Sequence, residues 1–208
     1  MSNLIETAEL LLGRELHPAD GYTMEEIQQA EGILGLKLPN ALKDFYHYIG
    51  KIDMLTSSFE RFLPLNELQK DDDKIIFLEE NQCVCLWSTN ILGDMVWIMC
   101  DEDWVRESMK LADFIQMLMF YNCAQGGFEF GGIADVSNFG AILKFVEISW
   151  NKVVQYNGLI IYSYQDNLIW YFYKEDNYTP TSDGIFLSCR TYENFSAINS
   201  NLKFRECF

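Results

Sequence analysis

The sequence predicts an α+β fold, a single domain in which N-terminal helices pack on a largely antiparallel sheet with further helices and C-terminal strands. Apolar residues in the first 50 positions recur at helical spacing between helix-capping residues. Short segments rich in β-branched and aromatic residues follow, separated by turn residues. No repeat, low-complexity tract or linker divides the 208 residues, so we expect one domain over residues 1–208.

Three helices are predicted before residue 51. The first is the amphipathic N-terminal stretch, which has glutamates where a secretory signal would have positive charge. The second begins at Thr23, which forms a capping box with Glu26, and it ends at Gly35. The third begins near Pro39, a residue that suits the first turn of a helix, and it ends at Gly50.

A meander of three antiparallel strands is predicted between residues 74 and 100. Its segments are KIIFLEE, CVCLWST and MVWIMC, each short and bounded by turn residues. Before the meander, residues 51–64 are predicted as a loop and residues 65–69 as a short helical turn. After it, the apolar positions from Ser108 to Asn122 predict a helix with a wide apolar face.

The last third of the chain predicts a second group of strands and helices. A Gly-rich connection begins near Gly126, and Gln165-Asp166-Asn167 is typical of a hairpin between two strands. The predicted elements are a helix at 142–150, strands at 159–164, 168–173 and 185–189, and a last helix at 192–198.

The chain is strongly and unevenly acidic. It has 31 acidic and 15 basic residues, a net charge of −16, and residues 1–104 account for −13 of it. A direct nucleic-acid binder needs the opposite sign to neutralise phosphates, so this class is excluded. A concentrated negative field attracts basic proteins, although plain solubility is the alternative explanation. We expect a cytoplasmic protein without a membrane span and with a basic protein partner.

The acidic residues beside the predicted meander are the candidate partner-binding residues. Two runs flank it, one before its first strand and one after its last, and a pair of glutamates ends the first strand. The spaced Asp-x-Asp-x-Asp-Gly pattern of a calcium loop is absent, so the alternative is a set of solvated turns. The candidates are Asp71, Asp72, Asp73, Glu79, Glu80, Asp101, Glu102 and Asp103.

The six cysteines are predicted to be reduced and mostly buried. On a strand, Cys83 and Cys85 would point to the same face, and Cys100 could join them from the next strand. A structural zinc site needs four ligands and favours a Cys-x-x-Cys knuckle with a second pair, which this region lacks. We therefore predict strand cysteines without a function, with a metal or redox role as the alternative.

No catalytic motif or cofactor site is predicted. The chain has two histidines and lacks the Gly-x-Ser-x-Gly and His-Glu-x-x-His signatures of hydrolases. The glycines of AQGGFEFGG lack the spacing of a phosphate-binding loop and follow a helix rather than a strand. We therefore expect a protein that is not an enzyme and that uses no cofactor and no metal.

Three groups of residues occur in an order and spacing typical of one known family. They lie in the second and third helices, in the first two strands of the meander, and in its last strand with the helix that follows: Ile27, Glu31, Leu34, Gly35, Leu38, Pro39, Leu42, Phe45, Tyr46 and Gly50; Phe77, Glu80, Asn81 and Trp87; Asp94, Val96, Trp97, Phe114 and Ile115. Together they resemble the SUKH superfamily, which includes a fungal cell-wall assembly regulator and many bacterial immunity proteins. The resemblance is strongest over residues 20–123, and residues 124–208 are interpreted as a C-terminal extension of the same domain.

The resemblance implies a non-catalytic protein-binding domain. For bacterial members it implies an immunity protein that neutralises a cognate toxin, often a nuclease, by binding it; the fungal relatives imply instead a regulatory scaffold or adaptor. It also implies that Pro39, Asn81, Trp87 and Trp97 determine the fold, with both tryptophans in the core. Because nuclease toxins must hold phosphates, they tend to be basic, and we expect buried aromatic contacts surrounded by acids.

Overall fold

A computed structural model describes residues 3–92, 94–174 and 178–207. It has helices and antiparallel sheets, which confirms the α+β class. The chain forms two compact units. The first unit comprises the residues up to Glu9 and Arg14–Asn122, and the second comprises Leu10–Gly13 and the chain from Cys123 onward. The assignment of the whole chain to one domain stays a prediction.

The N-terminal helices confirm the predicted pattern of caps. The Thr23 hydroxyl accepts the Glu26 N–H at 3.2 Å, and the Glu26 carboxylate accepts the Thr23 N–H at 2.6 Å. Gly35 ends that helix with a positive φ of 67°, which glycine adopts without steric cost. Pro39 lies at the N-cap of the next helix. The helices are α1 (Asn3–Leu12), α2 (Met24–Leu34), α3 (Asn40–Tyr48) and α4 (Asp53–Thr56).

The first unit has a six-stranded antiparallel sheet, the first sheet. Its strands are β1 (Arg61–Phe62), β2 (Gln69–Asp71), β3 (Lys74–Glu79), β4 (Leu86–Asn90), β5 (Met95–Met99) and β6 (Val105–Lys110). The strand order is β1-β3-β4-β5-β6, and β2 also pairs with β3. Because β4 occupies one edge of β3, both β1 and β2 lie along the other edge.

The three-strand meander is confirmed, but its flanks differ from the prediction. The predicted loop at 51–64 contains α4 and β1, and the predicted helical turn at 65–69 leads into β2. Strand β6 occupies positions where the helical pattern was expected to begin, so the following helix, α5 (Leu111–Asn122), starts later. Strands β2 and β6 are polar and mostly exposed, and edge strands of this kind lack the apolar alternation that predicts a strand.

A chain of aromatic contacts connects the layers of the first unit. Phe45 of α3 lies 4.4 Å from Phe62 of β1, measured between ring centroids, and Phe62 lies 6.2 Å from Phe77 of β3. Phe77 in turn meets Phe114 of α5 edge-on at 6.4 Å. Such pairs add specific geometry to the burial of apolar area. The core of this unit therefore lies between the helices and one face of the first sheet.

One buried amide closes this core where α5 ends. Asn122 is fully buried, and its side-chain oxygen accepts the Glu60 N–H at 2.8 Å. Its amide nitrogen donates to the carbonyl oxygens of Leu55 and Glu60, at 2.9 and 3.0 Å. The three bonds satisfy backbone groups of α4 and of Glu60, just before β1, that are removed from water. Asn122 thus fixes the entry into the first sheet.

The second unit has its own six-stranded antiparallel sheet, the second sheet, in the order β12-β7-β11-β10-β9-β8. The predicted hairpin is confirmed, since Tyr164 pairs with Asn167 across the turn. Elements that were not predicted are β8, β12 and β7, and the last lies within the Gly-rich connection. The elements are β7 (Phe130–Ala134), α6 (Phe139–Ser149), β8 (Asn151–Tyr156), β9 (Leu159–Tyr164), β10 (Asn167–Phe172), β11 (Ile185–Cys189), α7 (Tyr192–Asn199) and β12 (Arg205–Glu206).

Close approach of two strands explains the glycines of β7. A Cβ at Gly132 would lie 3.0 Å from the carbonyl oxygen of Arg205 in β12 and 3.1 Å from the ring of Phe195. Glycine therefore allows this close packing, and it does not mark a loop at this position. Around Phe195, residues of α6, α7 and the second sheet form a separate core, which includes Ile142, Val146, Ile169 and Leu187.

Candidate protein-binding face

A hydrogen bond joins the two ends of the strand order in the first sheet. The indole N–H of Trp104, immediately before β6, donates to a carboxylate oxygen of Asp71 in β2 at 2.6 Å. In a flat sheet with about 4.8 Å between neighbouring strands, β2 and β6 would lie roughly 19 Å apart. The first sheet must therefore curl, so that the face away from α5 is concave.

Two β-bulges account for this curl. The register between β3 and β4 shifts between Ile76 and Leu78, and the register between β5 and β6 shifts between Met95 and Trp97. A bulge puts extra residues in one strand, bends that strand and increases the local right-handed twist. The two bulges flank the central pair of strands, so both halves of the sheet turn toward each other.

Four side chains define the concave face, which we call the tryptophan face: Lys74, Trp97, Trp104 and Arg106. Trp97 pairs in register with Arg106, and alternation along β6 puts Trp104 on the same face. The Lys74 ammonium lies 5.6 Å from the centroid of the Trp97 ring, within range of a cation–π interaction. Both tryptophans are half-buried.

This placement corrects the expectation that both meander tryptophans lie in the core. Trp87 faces α5, with its ring 6.2 Å from that of Phe114, but it is half-buried rather than fully buried. Trp97 lies on the other face of the sheet, the one it shares with Lys74 two strands away. Part of its ring stays accessible there. Register explains the difference, because Trp97 pairs with Ser88, the neighbour of Trp87, and neighbours on a strand point to opposite faces.

The two predicted acidic runs lie at the edge of this face, and we call them the acidic rim: Asp71, Asp72, Asp73, Asp101, Glu102 and Asp103. All six residues are exposed. Asp72 has a φ of 52° in the tight turn between β2 and β3, a conformation that Asp tolerates better than most residues. The other run connects β5 to β6 and leads into Trp104. The Trp104–Asp71 bond therefore brings the two runs together, although 27 residues separate Asp73 from Asp101.

The two predicted glutamates, Glu79 and Glu80, lie at the turn between β3 and β4 and have partners inside the first unit. The Glu79 carboxylate forms an ion pair with Arg61, and hydrogen bonds from Cys83 and Arg61 lower its pKa. The Glu80 carboxylate accepts the Val84 N–H at 3.3 Å. These two acids shape the turn, whereas the acidic rim faces solvent.

The cysteines of the CVC segment are not on a strand, which corrects the prediction. Cys83 and Cys85 precede β4, and Cys85 forms a disulfide with Cys100 immediately after β5. The prediction of six reduced thiols is therefore wrong for this pair. Composition caused the error, because the β-rich segment CVCLWST begins inside the turn from Glu80 to Cys85, before β4 starts at Leu86.

The four remaining cysteines divide into two kinds. Cys123 and Cys189 are buried, as predicted, and burial raises the pKa of the Cys189 thiol to about 12. Burial raises the pKa of Cys123 as well. Cys83 and Cys207 are exposed. A hydrogen bond to the Glu79 carboxylate raises the pKa of the Cys83 thiol, so this thiol stays protonated at neutral pH.

Sequence reasoning missed Trp104, the residue that links the two runs. A signal was present in the segment Asp101-Glu102-Asp103-Trp104, since a large aromatic residue directly after an acidic run is an unusual place for a core residue. The contact between Trp104 and Asp71 forms only because the sheet curls, and the curl could not be predicted from the sequence. The resulting arrangement of half-buried aromatic rings inside an acidic rim suits the recognition of a protein surface.

Neither a metal site nor a membrane-spanning helix occurs in the described part of the chain, and no relative is found. Within residues 3–92, 94–174 and 178–207, no three His, Cys, Asp or Glu side chains are grouped as a metal site requires. Among the helices of the same described ranges, none combines the length and the hydrophobicity needed to span a bilayer. The chain matches no protein-family model, no curated protein and no solved structure.

Proposed function

We propose that this protein is a cytoplasmic, SUKH-like immunity protein that neutralises a basic toxin domain, possessing no catalytic activity of its own. The observation that supports the proposal most directly is the hydrogen bond from Trp104 to Asp71, which joins two acidic runs around the tryptophan face. The toxin domain is proposed to be a nuclease, because a nuclease presents a basic surface to phosphates.

The charge of the first unit supports this docking mode. Residues up to Asn122 include 22 acidic and 9 basic residues, a net charge of −13, whereas the rest of the chain has −3. A field concentrated on one part of a protein orients a basic partner before contact and raises the association rate. The exposed carboxylates of the acidic rim contribute to this negative field and are accessible to the partner.

The tryptophan face supplies the apolar part of the proposed interface. Residues that contribute most to binding are enriched in Trp, Tyr and Arg and lie at the centre of an interface inside a ring that excludes water. Trp97 and Trp104 are half-buried before any partner binds. Binding therefore costs little additional conformational entropy of these two side chains. The Lys74 ammonium is paired with Asp73 at 3.3 Å, which limits its repulsion of a basic partner.

The test is co-expression with the toxin domain encoded beside this protein's gene, followed by binding kinetics. We expect the full chain to restore growth against that toxin domain and against no unrelated one. Reversing two rim charges with Asp101→Lys and Asp103→Lys should slow association about tenfold at low salt. The matched control is Glu129→Lys with Glu147→Lys, the same charge change at exposed positions of the second unit.

Equal loss of association rate in both double variants would show that net charge, and not the acidic rim, guides binding. Binding without rescue of growth would contradict neutralisation and favour a regulatory scaffold or adaptor. Turnover of a small molecule by the purified chain would contradict the non-catalytic part of the proposal. Trp97→Ala measured at high salt separates the aromatic contribution, because screening removes most of the charge contribution there.

A further inference from the structure

We infer that the Cys85–Cys100 disulfide is a reversible redox site that controls the acidic rim, with a dithiol as the reacting partner. The expected effect on partner docking rests on the proposed function, whereas the opening of the disulfide does not. The bond lies at the start of the five-residue connection from Cys100 to Trp104, which includes half of the acidic rim.

The connection lies between paired strands, since Ile98 of β5 pairs with Val105 of β6, and one side-chain interaction is added at each of its ends. At its start, the disulfide fixes Cys100 to Cys85, with 4.2 Å between the two Cα atoms. At its end, the Trp104 indole donates to Asp71. Asp101, Glu102 and Asp103 between these points are exposed. Opening the disulfide removes one of these two side-chain interactions, and we expect the three carboxylates to move more freely relative to the tryptophan face while the β5–β6 pairing persists.

Strand pairing also holds together the two segments that this bond joins. Leu86 and Met99 are the last paired residues of β4 and β5, so the hairpin itself places the next two residues opposite each other. The aromatic core of the first unit, from Phe45 to Phe114, is formed by other elements. A disulfide between residues that the fold already brings together can open and close again without unfolding.

Accessibility favours attack on Cys100. Cys100 is exposed and Cys85 is half-buried, so an incoming thiolate reaches the Sγ atom of Cys100 more easily. Cys83 is exposed two residues before Cys85, yet its thiol donates to Glu79 and stays protonated. Because the thiolate is the nucleophile, this hydrogen bond protects the Cys85–Cys100 pairing from exchange with Cys83.

The reaction is an ordinary thiol–disulfide exchange with a dithiol. One thiolate of the dithiol bonds to Sγ of Cys100, and Cys85 leaves as a thiolate that takes up a proton. The second thiolate of the dithiol then attacks the mixed disulfide and releases Cys100, so the dithiol becomes a disulfide. Two electrons and two protons pass to the protein. In a cytoplasmic protein, a disulfide that opens and closes in this way is typical of redox sensing.

The test equilibrates the full chain with mixtures of reduced and oxidised dithiothreitol, traps free thiols by alkylation and maps them by mass spectrometry. We expect Cys85 and Cys100 to be alkylated together as the potential falls, with an unchanged circular dichroism spectrum. Hydrogen exchange of the amides in residues 100–104 should rise about tenfold on reduction. Affinity for a decalysine peptide at low salt should fall severalfold. Cys207→Ser is the matched control and should behave as the unmodified chain.

A chain that forms no Cys85–Cys100 bond under oxidising conditions would overturn the inference. So would reduction that leaves both the exchange of residues 100–104 and the decalysine affinity unchanged. Unfolding of the chain on reduction, or in the variant Cys85→Ser with Cys100→Ser, would also overturn the inference, because the bond would then be a structural requirement of the fold. If charge reversal of the rim weakens toxin binding but reduction has no effect, the proposed function stands and the redox inference is refuted. If reduction has the expected effects but charge reversal leaves toxin binding unchanged, the redox inference stands and the proposed function is refuted.

Discussion

The two units have similar architecture but present different surfaces. Each has an antiparallel sheet of six strands with helices against one face, and each has its own aromatic core. The first unit has a net charge of −13, two bulges that curl its sheet, and a disulfide at one end of its central hairpin. The second unit has a net charge of −3.

This difference shows how the same kind of core can support different surfaces. Core packing requires alternating apolar residues, which both sheets have. The face of the first sheet opposite its core holds Trp97, Trp104, Lys74 and Arg106, none of which is needed to bury α5. Side chains that the core does not require are candidates for function, and these four lie in the first unit.

The largest effect is expected from removing one core phenylalanine in each unit. Phe77 and Phe195 are 0% and 1% exposed, so Phe77→Ala and Phe195→Ala each leave a large cavity. Each substitution should lower the free energy of unfolding of its own unit by about 3–5 kcal/mol. Hydrogen exchange in increasing urea, followed separately on peptides of β3 and of α7, measures the two values. Equal loss of protection in both units after either substitution would support the predicted single domain and contradict separate cores.

Periodic apolar segments with clear ends could be predicted from the sequence. The α2 helix was located because Thr23, Glu26 and Gly35 mark its ends, and β3 because it is an apolar run beside a turn. The exposure of the six acidic-rim residues could also be predicted, since the exposure of a charged run depends little on tertiary structure. These predictions depend on local interactions, which a linear sequence displays directly.

Features that depend on pairing between distant strands could not be predicted. Nothing near Trp104 indicates Asp71 as its partner, because the contact exists only when the bulges curl the sheet. The disulfide needs the register of β4 and β5, which places Cys85 opposite Cys100. Gly132 belongs to a strand because β12 packs against it, and short-range composition suggested a loop. In each case a long-range contact overrides a local preference.

A smaller effect is expected from pH, with opposite signs in the two units. Burial raises the pKa of Glu60 in the first unit, and the charge of Glu80 adds to this increase. The folded state therefore binds the proton more tightly than the unfolded state, and stability falls as pH rises from the unfolded pKa, about 4.3, through the folded pKa. Glu60→Gln should remove this loss, making the variant more stable than the unmodified chain at pH 7 and equal to it at pH 3.

Asp135 in the second unit supplies the opposite case. Hydrogen bonds from the side chain and backbone N–H of Ser137 lower its pKa, so its contribution to stability is present above the unfolded pKa and is lost as pH falls through the folded one. Asp135→Asn should therefore destabilise the chain at pH 7 and have little effect at low pH. Urea unfolding between pH 2 and 8 measures both variants, and the same sign for the two would refute this assignment.

The smallest effect is expected from the helix caps, one in each unit. Thr23 and Glu26 cap α2 reciprocally, so two backbone N–H groups are satisfied. Thr191 caps α7 with one bond of 3.3 Å from the Asn194 N–H, and the asparagine at that position offers no carboxylate in return. Removing a cap costs about 0.5–2 kcal/mol, so Thr23→Ala should cost about 1 kcal/mol and Thr191→Ala about half as much.

Urea denaturation of both variants measures the difference, and Thr23→Ser, which keeps the hydroxyl, is the control. A cost for Thr191→Ala equal to or above that for Thr23→Ala would mean that the reciprocal carboxylate adds nothing, and that packing of the two helices decides their stability.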